Sequence, residues 1–216
     1  MSELSNGKYI PHQDVSELDL NESNFYLITK RLIDIIGALF GLVLFSFLFL
    51  IIAIAIKIED PKGPIFFIQT RIGKGEKSFK MLKFRSMVSN AEDILSDLLE
   101  YNEAQGAMFK MKEDPRVTRV GRFIRRTSID ELPQLLNVLK GDMSLVGPRP
   151  PLPREVDLYT DYDKQRLLVT PGCTGLWQIS GRSNIGFAEM VQLDLNYIRN
   201  RNIRKDIMIM IHHHIL

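Results

Sequence analysis

The chain has a single cysteine, Cys173, among 216 residues. A lone thiol closes no intramolecular disulfide, which excludes a disulfide-stapled scaffold and suits a reducing compartment. No His or Asn stands near it in the sequence, so it reads as a small buried filler rather than a nucleophile. Gly-rich phosphate loops of the P-loop or dinucleotide kind are missing, and so are internal repeats. An excess of one charge is missing too. The formal net charge is +2, too small to argue for nucleic acid. None of the ten prolines falls within the longest apolar run, so any break in that run must come from Gly37, Gly41 or Ser46.

That run is the first strong positive signal. From Ile35 to Ile56 there are 22 residues without a charge. Lys30 and Arg31 stand before it, and Lys57, Glu59, Asp60 and Lys62 after it. About 20 apolar residues cross a bilayer core as a helix. A domain of this size cannot cover such a helix on every side, so residence in a membrane is expected. Basic residues on both flanks give no orientation by the positive-inside rule. A helix entering and returning through one leaflet keeps both flanks on one side. Gly37 and Gly41 form a GxxxG pair that can pack against another helix, and the oligomeric state, homo-oligomers included, is left open.

A polar, acidic leader precedes the run and a soluble α/β portion follows it. Ile65–Gln69 and Phe79–Met87 read as the arms of a hairpin. Ser89 and Glu92 form a capping-box pattern that opens an amphipathic helix to about Gln105. Leu132–Leu139 is a predicted helix stopped by Gly141, and Pro148 to Pro153 predicts an extended stretch. Phe187–Arg199 and Ile203–Leu216 carry apolar residues at helical spacing.

Charge is concentrated where chemistry is most plausible. Lys110 to Arg126 carries seven basic residues and two acidic ones, a local +5. Three readings stay open: a solvated face, a patch for anionic lipid headgroups, or a cradle for a diphosphate. Five of the seven are arginines, whose planar fork pairs two phosphate oxygens at once. Nucleic acid is disfavoured, because no aromatics interleave with the charge.

Directly after this segment comes Ser128-Ile129-Asp130-Glu131-Leu132-Pro133. One register makes Ser128 and Glu131 a capping box. It places Pro133 where a helix needs its N–H, so the alternative register caps at Asp130 instead. Both acidic residues then lie at a helix start, where the macrodipole favours an ionised carboxylate. Such a carboxylate can attack phosphorus, and its neighbour can hold a magnesium ion or act as a base. On local chemistry alone, capping outweighs catalysis. Asp161-Tyr162-Asp163 matches the acidic pair of some metal-dependent glycosyltransferases, but a solvated loop is the favoured reading. His212, His213 and His214 occupy consecutive positions and cannot easily converge on one metal. Trp177 can stack on a ring or serve in the core or at a membrane interface.

Taken in order, several blocks resemble the small monotopic phosphoglycosyl transferases of bacterial capsule and exopolysaccharide assembly. They are Lys30-Arg31-Leu32-Ile33-Asp34, Lys83-Phe84-Arg85-Ser86-Met87, Thr127 to Gln134, Asn137 to Ser144, Val146 to Pro150 and Pro171 to Gln178. The resemblance implies a mixed, helix-rich α/β fold in three parts. These are a leader at 1–29, a membrane-embedded, re-entrant helix at 30–58, and a cytoplasmic catalytic domain at 59–216 with amphipathic helices on the membrane surface. It implies location at the bacterial cell membrane, among inner-membrane lipids. It also implies that Asp130 attacks a UDP-sugar, releases UMP and passes the sugar phosphate to undecaprenyl phosphate. Glu131 completes the pair, with Mg2+ held by Asp130 and Glu131. Lys83, Arg85, Arg125 and Arg149 are the implied substrate-binding residues. Where the family carries Ser-Pro in its membrane helix, this chain has Ser46-Phe47. Two other readings stand beside this one: a metal-dependent glycosyltransferase using Asp161 and Asp163, and a non-catalytic membrane scaffold.

Overall fold

The computed structural model describes residues 23–98, 111, 113–181 and 185–213. The apolar run, expected as one helix over 30–58, is two. Helix α1 covers Asn24–Leu44 and α2 covers Ser46–Glu59, bent by 59° at the break. Among the described residues no single helix is long and apolar enough to cross a membrane. The break is made without proline. The Ser46 hydroxyl donates to the Val43 carbonyl at 2.8 Å, and Phe45 leaves helical geometry at φ −95°, ψ 7°. A side-chain hydroxyl that takes a ladder carbonyl is a known way to bend a helix.

Both ends of the bent pair are clamped to the same globular body. At the α1 end, Lys30 donates to the Val146 carbonyl and pairs with Asp206. Arg31 donates to the carbonyls of Val138 and Leu139, and Asp34 accepts from the Leu145 N–H and the Ser144 hydroxyl. At the α2 end, Glu59 accepts from the N–H groups of Arg119 and Val120. Asp60 pairs with Arg85 at 2.6 Å. The flanking charges of the apolar run therefore serve as clamps. Between them, Phe40, Val43, Phe47 and Leu50 are exposed, an apolar surface of the kind that marks a membrane or partner contact.

The globular body is helix-rich, with two small sheets. Strands β1 (Phe66–Ile72) and β2 (Ser78–Phe84) form the predicted antiparallel hairpin. Strands β3 (Ser144–Val146) and β4 (Gly172–Thr174) pair in parallel. Helix α3 covers Ala91–Leu98, and its predicted continuation to Gln105 lies outside the described residues. Helices α4 (Arg119–Arg126) and α5 (Gln134–Lys140) follow, with Gly141 at φ 90° ending α5 as its sequence suggested. The proline stretch is extended until Pro153 opens α6 (Pro153–Val156) at a first-turn position, where it needs no N–H. Next come α7 (Asp161–Lys164) and α8 (Leu176–Ile179). Helix α9 covers Phe187–Arg199, as predicted, and α10 covers Ile203–His213.

Apolar packing falls into three clusters. One joins β3 to α9 and α10 through Val146, Leu195, Ile198 and Ile209. A second packs Ala38 of α1 on Met81, Val138 and Met143. The third packs Ile52 and Ile56 of α2 on Phe84 and Ile124. The second and third seat α1 and α2 on either side of β2 and α5, and so fix the height of the segment between α4 and α5 relative to the apolar pair.

Candidate active site

Helix α4 ends at Arg126, and the chain reverses through Ser128 at φ 57°, a left-handed conformation that is uncommon for a residue with a Cβ. A 3₁₀ turn, Ile129–Glu131, carries the acidic pair, and Pro133 is the N-cap of α5. Neither predicted register is the observed one. The Ser128 side chain makes no capping bond, and α5 begins three residues beyond Asp130. The physical reason is Pro133. Its fixed φ and missing N–H suit a helix boundary and exclude a later helical position, so the preceding residues tighten into a 3₁₀ turn.

The charge state of Asp130 is therefore set by surroundings other than a helix cap. Asp130 is 9% exposed. Burial pushes its carboxyl up to about 6, with Lys83 and Arg125 opposing the rise and Glu131 adding to it. The expectation that a helix start keeps this group in the low carboxylate range is overturned. A group with that midpoint is still roughly nine-tenths ionised at pH 7.

Glu131 is held differently. Lys83 donates to Glu131 Oε1 at 2.7 Å. Lys83 reaches it because Asn137 of α5 locks β2 in place. The Asn137 amide donates to the Lys80 carbonyl at 2.8 Å and accepts from the Leu82 N–H at 3.0 Å. Asn137 is fully buried, so both bonds are needed to satisfy its amide.

The predicted arginines take separate positions. Arg125 donates from Nε to the Ser86 hydroxyl at 2.8 Å, which ties α4 to the stretch after β2. Arg85 binds both the carboxylate and the carbonyl of Asp60, so its terminal nitrogens hold the α2 exit. Arg149 is exposed, with its guanidinium carbon 6.0 Å from the Trp177 ring centroid, a cation–π contact for which Trp177 supplies the face.

Sequence reasoning missed Arg71. It is buried and donates to Gln69 Oε1 and to the Pro150 carbonyl. Burial, and next the nearby Arg149, lower its pKa to about 10, and Glu131 is also within its field. Gln69 and Arg71 lie two apart on a strand, hence on one face. That spacing was the available signal. Arg71 holds the proline loop, and with it Arg149, beside the acidic pair.

The remaining candidates lie elsewhere. Asp163 accepts from the N–H and the hydroxyl of Thr160, so the acidic triplet is a capped helix start rather than a loop. His212 Nδ1 is 2.8 Å from the Met208 carbonyl, and His214 lies outside the described residues. Cys173 packs, partly buried, against the second core cluster, and burial pushes its thiol up, as befits a filler. Among the described residues, no group of three or more His, Cys, Asp or Glu side chains lies together. Two adjacent carboxylates still fit the habit of magnesium, which keeps several waters and takes further oxygens from substrate phosphates.

Comparison with known proteins adds an independent view. Residues 25–215 match the family described as bacterial sugar transferase. The galactosyl transferase CpsE of Streptococcus agalactiae serotype III is 51% identical over 189 residues, covering 86% of this chain and 41% of that protein. The undecaprenyl-phosphate galactose phosphotransferase of Salmonella typhimurium is 44% identical over 185 residues, covering 84% of this chain and 38% of that one. The exopolysaccharide production protein ExoY of Rhizobium meliloti is 43% identical over 184 residues, covering 83% and 81%. The chain thus spans about two fifths of the first two relatives and four fifths of the third.

Proposed function

We infer from one premise, that the chain belongs to the bacterial sugar transferase family, that it moves a sugar 1-phosphate from a UDP-sugar to undecaprenyl phosphate. The observation that carries this reading is Asp130, buried beside the Lys83–Glu131 pair and close to an apolar helix pair. A carboxylate oxygen of Asp130 attacks the β-phosphorus of the donor, and the bond to the leaving phosphate breaks to release UMP. The resulting acyl phosphate holds the sugar phosphate on Asp130. A phosphate oxygen of the lipid then attacks the same phosphorus. Asp130 leaves as a carboxylate and the product is a lipid diphosphate sugar.

The residues around Asp130 support that chemistry. Its partly desolvated carboxylate is ionised at neutral pH yet less stabilised than a solvent-exposed one, which favours nucleophilic attack. Arg149 and Arg125 steady phosphate oxygens, and Lys83 restrains Glu131 while adding positive charge beside the reacting group. Arg85 contributes by holding the α2 exit against the segment that carries Lys83. Asp130 and Glu131 would hold Mg2+, which when bound supplies positive charge to the diphosphate oxygens.

The bent helix pair is read as re-entrant, in the bacterial cell membrane, with the catalytic portion on the cytoplasmic side. Clamps from Lys30, Arg31 and Asp34 at one end, and from Glu59 and Asp60 at the other, support this reading. Helix ends held by one body on both sides need not emerge on opposite faces of a bilayer. The exposed arginines Arg119, Arg122 and Arg126 of α4, with Phe123 among them, suit anionic headgroups of inner-membrane lipids.

The test is turnover in detergent or nanodiscs, with UDP-galactose among a panel of UDP-sugars and undecaprenyl phosphate as acceptor. UMP and a lipid diphosphate sugar are expected together, in a process that stops in Asp130→Asn. UMP release without lipid product, or product formation by Asp130→Asn, would overturn the reading.

A further inference from the structure

A groove of about 740 Å³ lies between the bent helix pair and the segment that carries the acidic turn. Phe40, Leu44 and Leu48 line it on the helix side, facing Leu135, Leu145 and Met210 on the other. At its polar end stand Glu131 and Arg126. Apolar walls leading to one carboxylate and one guanidinium match a ligand with an apolar chain and a phosphate head. We propose that this groove holds the first few isoprene units of the acceptor lipid and delivers its phosphate to Asp130, with the rest of the chain lying in the bilayer.

Charge and continuity select this occupant. An ordinary buried core would not carry Arg126 and Glu131 at its rim, and a docked protein helix would need no cation there. The groove is continuous with the proposed reaction centre, because Glu131 belongs to both. Its width also has a visible cause. Helix α1 runs close to the domain at Gly37 and Gly41, where an added Cβ would lie 2.6 Å from Leu145 Cδ1 and 2.8 Å from Leu135 Cδ1. The glycine pair therefore seats α1 against the domain, and the bend at Phe45 opens the groove beyond it. A volume of this size admits a short stretch of chain and no more. Affinity should then rise with acceptor length only until the groove is filled.

This proposal rests on the sugar phosphate transfer reading, and the experiment separates the two. Geranyl, farnesyl and undecaprenyl phosphate are compared as acceptors for the wild type, Leu44→Trp and the off-groove control Ile54→Trp. Leu44 is 58% exposed and Ile54 50%, so neither change disturbs the core. Wild type should gain from geranyl to farnesyl and change little from farnesyl to undecaprenyl phosphate. Leu44→Trp should release UMP from the donor at the wild-type rate in the absence of acceptor. Its KM for acceptor should rise roughly tenfold, the order expected when a filled site must repack to admit its ligand. Ile54→Trp should match wild type in both steps. An unchanged acceptor KM in Leu44→Trp would overturn the groove, and so would indifference to chain length in wild type. Failure of wild type to use any lipid phosphate would instead overturn the transfer reading.

Discussion

Lys83 Nζ lies 2.7 Å from Glu131 Oε1, and the same ammonium is the strongest charge opposing the upward shift of Asp130. One cation thus serves two carboxylates, through a direct bond to one and its field on the other. In Lys83→Met the Asp130 carboxyl should rise further, since a stabilising charge is lost. Attack requires the carboxylate, so the acid limb of the adduct-formation rate should move to higher pH, by roughly one unit. Lys83→Arg should keep the limb near its wild-type position, at about 6. Stopped-time mass measurement of the adduct from pH 5 to 8 reads this directly, and an unmoved limb in Lys83→Met would refute the role given to Lys83.

The same burial predicts a stability effect. Asp130 shifts from an ordinary 3.8 to about 6 in the folded chain. Between those values the folded state holds a proton that the unfolded state has released. Stability therefore falls as pH rises through that window and then levels off. Above it the ionised carboxylate costs on the order of 2 kcal/mol, which Asp130→Asn removes. The variant should melt above wild type at pH 7.5, and the gap should close by pH 4. Equal melting at both values would contradict the shift.

Asn137 is the residue whose loss should couple stability to activity. Asn137→Ala strands the Leu82 N–H and the Lys80 carbonyl, at about 2–4 kcal/mol for two buried unsatisfied groups. It also frees β2 to shift Lys83 away from Glu131. Thermal unfolding in detergent and donor half-reaction rate should both fall. A full loss of stability with an unchanged rate would show that β2 does not position Lys83.

Topology can be read by chemistry on thiols. In a Cys173→Ser background, single cysteines at Asn24 and Lys62, both exposed, flank the bent pair. A membrane-impermeant maleimide should label neither in intact cells and both after lysis. Labelling of one alone in intact cells would mean that the pair crosses the membrane.

Much of this was legible in the sequence, for identifiable reasons. The hairpin, α5, α9 and the membrane-compatible run followed from alternation, helical spacing and an uncharged stretch, signals that are local in the chain. The acidic pair was legible too, as residues. Its backbone was not, because one proline decided between three registers and local rules favour none of them decisively. The clamps formed by Lys30, Arg31, Asp34, Glu59 and Asp60 were read as flanking charge, since their partners lie 25 to 176 residues away. Arg71 stayed hidden for the same cause. Its acceptor at Pro150 is 79 residues distant.

The most direct measurement is intact mass, with peptide mapping, of the protein incubated with donor and no acceptor. The account predicts an added sugar phosphate on the peptide containing Asp130 in wild type and in Asp161→Asn, none in Asp130→Asn, and its loss when undecaprenyl phosphate is supplied. An adduct that persists in Asp130→Asn, or wild-type turnover with no adduct on that peptide at any time point, would contradict it.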